Sequence, residues 1–208
     1  MSAPQRLFRG LVSCLAAASV AGCVSLLPKD KPVQLYRFGE SAAPGAAHAP
    51  AASAFLVRSA ATSFERAAAG DRILTVQGDQ AAYIKGARWV SPAAILFEAA
   101  VARAFDADGG AARLLARGEA ARAELTLELD VRTFEARYGS DPQAAPIVRI
   151  EVYAALGAPA AKGDRARLFA GEAAASDNRV GAIAIAFDQA TNKVLGELVA
   201  WVDAKGEG

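Results

Sequence analysis

Apolar and polar residues alternate most regularly at 125–131, where Leu125, Leu127, Leu129 and Val131 are separated by Thr126, Glu128 and Asp130. A period of two puts the four apolar side chains on one face, which predicts a half-buried strand. Beyond it the apolar set becomes Phe134, Ala136 and Tyr138, one position out of phase. A bulge near Arg132-Thr133 would return these side chains to the same face. Residues 147–156 and 166–174 read as two further strands, and the turns at 139–146 and 157–164 join the three into an antiparallel meander. Upstream, 72–77 and 81–85 flank Gly78-Asp79 as a hairpin. Residues 33–38 and 54–58 are shorter strand candidates, 63–69 is expected to form a short helical turn, and 111–116 is an element of unassigned type.

Two segments follow the helical period instead. Ser91-Pro92 offers a hydroxyl N-cap and a proline in the first turn, where its missing N–H costs nothing. The helix is expected to run to about Asp106, with Phe97, Val101 and Phe105 recurring at spacing four as a buried stripe and Gly109-Gly110 ending it. From about Arg179 to Asp203, Ile183, Phe187, Ala190, Val194, Leu198 and Trp201 step by three or four along one face, with Asp188, Asn192 and Glu197 off it. Two striped helices and about six or seven strands predict an α+β fold: a largely antiparallel sheet with two main helices packed on one face, the other face partly exposed.

The first residues have another pattern. Arg6 and Arg9 form a basic start, 11–20 is an apolar run, and Val20-Ala21-Gly22-Cys23 follows. The run is too short to cross a bilayer, which takes roughly 20 residues, and the order of features is that of a secretory signal. Its last four residues look like a lipobox, in which the cysteine thiol receives a diacylglycerol and becomes the mature N-terminus. Cys14 leaves with the apolar run, so Cys23 has no disulfide partner, and acylation accounts for it. An ordinary signal peptide with a chance cysteine, or an N-terminal membrane helix, is the competing reading. Each buried methylene adds about 0.8 kcal/mol, so two or three acyl chains hold a protein where one binds only marginally. Val24 stands where an Asp would favour inner-membrane retention, which points to the periplasmic side of the outer membrane. The expected organisation is a signal peptide over 1–22, a tether over 23–32 containing Pro28 and Pro32, and one folded domain over 33–204 with a flexible Ala/Pro loop at 41–53.

Composition narrows the chemistry. Apolar residues make up 53% of the chain, and although Ala supplies much of this, the Leu, Ile, Val and aromatic residues suffice for a core. There are 23 basic and 22 acidic residues; loss of Arg6 and Arg9 leaves the mature chain near neutral. With no Lys/Arg cluster there is no electrostatic case for nucleic acid. The single histidine, His48, sits in the Ala/Pro loop and reads as a solvated residue, not a base. No mature cysteine is left as a nucleophile and no glycine-rich phosphate loop occurs. Gly70-Asp71 and Gly78-Asp79 are turn residues, not metal ligands. Glu124, Glu128 and Asp130 belong to the solvated face of a strand. No catalytic residue, cofactor or metal is expected, and the function is expected to be that of a transport or binding surface.

The order of these features resembles the ABC-type transport auxiliary lipoprotein family. The resemblance is carried by Leu35-Tyr36 after the tether, Asp71-Arg72-Ile73-Leu74, Ala82-Tyr83-Ile84 with Ala87-Arg88-Trp89, the helix from Ser91, the strand from Leu125 to Phe134, and the closing Val199-Ala200-Trp201-Val202. The chain departs from the family pattern in its long loop at 41–53. The resemblance implies a non-catalytic part of a lipid-trafficking machine, working with an ABC transporter permease and ATPase and an MCE-domain protein that bridges the periplasm. It also implies phospholipids or other hydrophobic molecules as cargo, and leaves a homo-oligomer open. A structural envelope scaffold without a role in lipid transport is the alternative, and a periplasmic hydrolase a weaker third. Trp89 and Trp201 have two readings: both close the sheet–helix contact in the core, or one borders a partner or lipid surface. Trp89, beside Arg88 just before a helix, is the surface candidate of the two.

Overall fold

Alternation at 125–138 builds the axis of the sheet. The computed structural model describes residues 32–40, 54–158 and 165–205. Among them the strands are Gln34–Tyr36 (β1), Phe55–Ser59 (β2), Ser63–Phe64 (β3), Arg72–Gln77 (β4), Gln80–Trp89 (β5), Ala112–Leu114 (β6), Leu125–Tyr138 (β7), Ile147–Gly157 (β8) and Arg165–Ala174 (β9). The helices are Ala93–Asp108 (α1) and Val180–Asp203 (α2). The segments expected to be signal peptide and tether up to Lys31, with Cys23, the expected loop at 41–53 with His48, and most of the expected turn at 157–164 lie outside the described residues. Residues from Val33 onward form one compact unit, distinct from Met1–Pro32.

β7 pairs antiparallel with β8, and β8 with β9, as the meander requires. The register of β7 on β8 slips between Val131 and Thr133, which leaves Arg132 as the extra residue of a bulge. The slip restores the phase: Leu127, Leu129, Val131, Phe134 and Ala136 are all buried on the helix side. The opposite edge of β7 is divided among three short strands, all parallel to it: β2 at Leu125–Leu127, β3 at Asp130–Val131, and β4 at Ala136–Tyr138. β4 carries β5 as the expected hairpin, β5 carries β1 in parallel along its last three residues, and β2 carries β6 in parallel. The long pairings are antiparallel and the short ones mostly parallel, so the sheet is largely antiparallel and the fold α+β.

α2 packs on β8, β9 and α1. Its stripe of Ile183, Phe187, Ala190, Val194, Leu198 and Trp201 is buried throughout. Helix and strand come close at Gly171, where a Cβ would stand 2.9 Å from the Ala190 carbonyl oxygen and 2.6 Å from Val194 Cγ2. In α1 the stripe of Phe97, Val101 and Phe105 is buried together with Ala93 and Ala100.

Several local expectations need correction. Ser91 is not the N-cap of α1; Pro92 holds that position and no side chain caps it. The first free N–H groups are instead taken by a preceding turn, Ala93 donating to Gly70 O at 2.9 Å and Ala94 to Ala69 O at 3.2 Å. The helical turn expected at 63–69 begins as strand β3 and only then turns, with Ala68 and Ala69 donating to Glu65 O. Residues 111–116 supply strand β6, where Phe55 and Ala112 pair.

Candidate functional site

The chain enters the domain at β1 and is at once gripped by the interior. Tyr36 pairs with Trp89 at the end of β5. Two residues later Phe38 is buried against Trp89, with ring centroids 5.0 Å apart, and against Phe134 at 4.9 Å. Gly39 then takes a left-handed φ of 71° where a Cβ would stand 2.5 Å from that of Ala100, so glycine alone fits. Both helices hold this entry strap. Asp188 on α2 accepts the Gly39 N–H at 2.6 Å and the Glu40 N–H at 3.2 Å, while Arg103 on α1 donates to Gly39 O at 2.9 Å.

Trp89 therefore belongs to the core. It is 2% exposed and sits in an edge-to-face cluster with Phe38 and Phe187, which extends through Phe134 to Phe64. The expectation that it borders a partner or lipid surface is corrected: strand alternation sends Trp89 inward and its neighbour Arg88 outward. Trp201 is likewise buried, edge-on to Phe169 at 5.6 Å. Of the three surface candidates only Arg88 reaches solvent, as a two-pronged ion pair to Asp71 at 2.8 and 2.9 Å. Cys23, the candidate lipid attachment site, is outside the described residues.

The sheet face away from the helices is a mesh of compensated charge. Asp130 pairs with Arg132, Glu135 with Arg137, and Arg149 with Glu151 and Glu172. The Thr133 hydroxyl, donating at 2.7 Å, and Arg149 together hold the Glu151 carboxyl below its ordinary value. Exposed pairs of this kind contribute about 0–1 kcal/mol each. Two open clefts lie beside the short strands. One of about 480 Å³ is lined by Arg58, Thr62, Glu98, Leu114 and Arg117, and one of about 510 Å³ by Ser63, Glu128, Asp130, Arg132 and Tyr153.

Among the described residues no group of three or more His, Cys, Asp or Glu side chains is placed to hold a metal ion. Thr191 is the buried polar residue among them, and its hydroxyl donates to Phe187 O at 2.7 Å. One carboxyl stands out: burial pushes Asp203 above its ordinary value, and the adjacent Asp108 adds to the rise, against the stabilising Ala112 N–H donated at 2.7 Å. These two residues end α2 and α1, and neither helix has a basic residue in its last turn to offset the dipole.

Sequence reasoning missed an apolar surface. Leu35 and Ile185 are 61% and 60% exposed and line one shallow depression of about 380 Å³ with Gly181 and Ala184. The available signal was Ile185, an isoleucine placed off the buried stripe of α2.

Residues 36–199, well over half of the chain, match the family model described as the ABC-type transport auxiliary lipoprotein component. The chain belongs to this family. Among solved structures it is similar to protein XCC0632 from Xanthomonas campestris, described under the family model DUF330: 28% identity over 83% of this chain and 96% of that one, with a TM-score of 0.71. A structure described as an uncharacterized protein shares the fold at 12% identity over 83% of this chain and 99% of its own, with a TM-score of 0.61. The hypothetical protein CT253 from Chlamydia trachomatis does so at 8% identity over 73% and 96%, with a TM-score of 0.50. No curated protein matches the chain. As a member of the ABC-type transport auxiliary lipoprotein family, it is an auxiliary component of an ABC-type transport system, associated with a membrane of the envelope.

Proposed function

We propose that this protein is an outer-membrane lipoprotein, anchored on the periplasmic side through diacylglycerol on Cys23, and that it serves as a non-catalytic auxiliary component of an MCE/ABC-type intermembrane lipid transport system. The family match over 36–199 is the observation that carries this reading. The signal and lipobox ending at Cys23 support the anchor, and Val24 after it supports the outer membrane. The partners are an MCE-domain protein and an ABC permease and ATPase, and phospholipid is the cargo passed between membranes. Work of this kind is done by contact. It suits a domain whose buried aromatic cluster holds a rigid shape.

The test is a pull-down of the mature acylated protein from solubilised membranes. Recovery of an MCE-domain protein is expected. Its reproducible absence, with the bait intact and acylated, would give way to an envelope scaffold without a role in lipid transport.

A further inference from the structure

We propose that the apolar face at the domain's entry point, formed by Val33, Leu35 and Ile185, rests directly on the lipid bilayer as a second, non-covalent membrane contact. The proposal depends on the reading that Cys23 is acylated. All three side chains are about half exposed or more: Val33 48%, Leu35 61% and Ile185 60%. Scattered exposed apolar residues need no explanation, but these gather at one place. Leu35 and Ile185 share the depression floored by Gly181 and Ala184, and Val33 lies two residues before Leu35 on the chain's way in.

That place is also where chain length holds the domain to the membrane. Ten residue steps separate Cys23 from Val33, so Val33 can stand at most about 36 Å from the acylated sulfur. The anchor keeps this face at high local concentration beside the bilayer, so even a weak contact is populated. Leu168, exposed on β9, is farther from the point where the chain enters the domain and serves as the comparison. β1 and β9 are opposite edges of the sheet, five strand spacings or roughly 24 Å apart.

A bilayer fits this face better than a protein partner does. Three side chains around a shallow depression fall short of the roughly 1,000 Å² that a specific protein interface buries. Insertion at a lipid interface needs only a few apolar side chains when an acyl anchor supplies the rest. The rim is suited to headgroups as well. Arg37 and Glu40, an ion pair, line the depression together with Asp188, and Arg179, 87% exposed at the start of α2 and 3.9 Å from Asp177, is two residues from Gly181.

The test uses the mature, acylated full chain in phosphatidylethanolamine/phosphatidylglycerol vesicles. An environment-sensitive fluorophore is attached through Leu35→Cys, Ile185→Cys or, as control, Leu168→Cys; the thioether at Cys23 offers no competing thiol. Unchanged thermal transitions confirm that each variant is folded. Emission is expected to shift to the blue and to be quenched by doxyl-labelled lipid at positions 35 and 185, but not at 168. Equal quenching by aqueous iodide at all three positions overturns the proposal alone. So does protection from iodide without doxyl quenching, which would assign the face to residues 41–53 or to a second copy. Failure of the wild-type chain to float with vesicles, or an unmodified Cys23 by mass spectrometry, removes the anchor reading and the proposal with it.

Discussion

Trp89 and Asp203 show how much one position carries in this protein. Trp89 joins the strap, the sheet and α2 through its contacts with Phe38 and Phe187. Trp89→Ala is expected to cost about 3–5 kcal/mol in denaturant unfolding, the range for truncating a buried aromatic. Any loss of partner binding should then track unfolding; a variant of native stability that no longer binds would restore the surface reading. Asp203 works in the opposite sense. A carboxyl whose pKa rises on folding opposes folding at neutral pH, and the penalty fades as pH falls through the folded value towards the unfolded one. Asp203→Asn keeps an oxygen to accept the Ala112 N–H, so it is expected to raise the melting temperature at neutral pH, with the gain shrinking in acid. A gain that does not change with pH would contradict this account.

At the scale of elements, the start of α1 and the entry strap are each held by hydrogen bonds to distant chain. α1 begins without a side-chain cap because Gly70 O and Ala69 O receive its first N–H groups. Ser91→Ala should therefore change stability by no more than about 0.5 kcal/mol, whereas loss of a working cap costs about 1 kcal/mol. Chemical denaturation separates the two. The entry strap depends on Asp188, which the helical pattern placed off the buried face of α2. Asp188→Ala leaves two backbone donors without their partner, at a cost of about 1–3 kcal/mol for a buried one. Faster amide exchange at Gly39 and Glu40 is expected before any change in β8 or β9, because the antiparallel pairings of the meander are far longer.

For the whole molecule, the sheet joins segments that the sequence keeps far apart. Its β1 edge receives the chain next to Leu35 and Ile185, while the meander and α2 form the rigid body behind it. Under the proposed acylation of Cys23, the anchor would act on the domain through this edge. Cys23→Ser is expected to release the protein from the membrane fraction while leaving its thermal transition unchanged, checked by fractionation and calorimetry on the same preparation. Retention of the variant in membranes would mean that the leader or the apolar face anchors the chain without acylation.

Period and punctuation were enough for the meander, the bulge at Arg132, the hairpin at Gly78, both helical stripes and the end of α1 at Gly109, since each depends on neighbours within a few residues. The family resemblance was legible for the same reason, being carried by local strings in a fixed order. Only the tertiary structure decided which short strands share the second edge of β7, that they run parallel to it, and that Asp188 and Arg103 clasp the entry strap. The strand pairings join residues far apart in the chain through backbone groups, which every residue has and no side-chain pattern encodes, and the clasp follows from where those pairings put the strap. The burial of Trp89 and the exposure of Leu35 follow from the same placement: β1 lies on β5 in one register, and that register sends one aromatic inward and leaves one leucine outside.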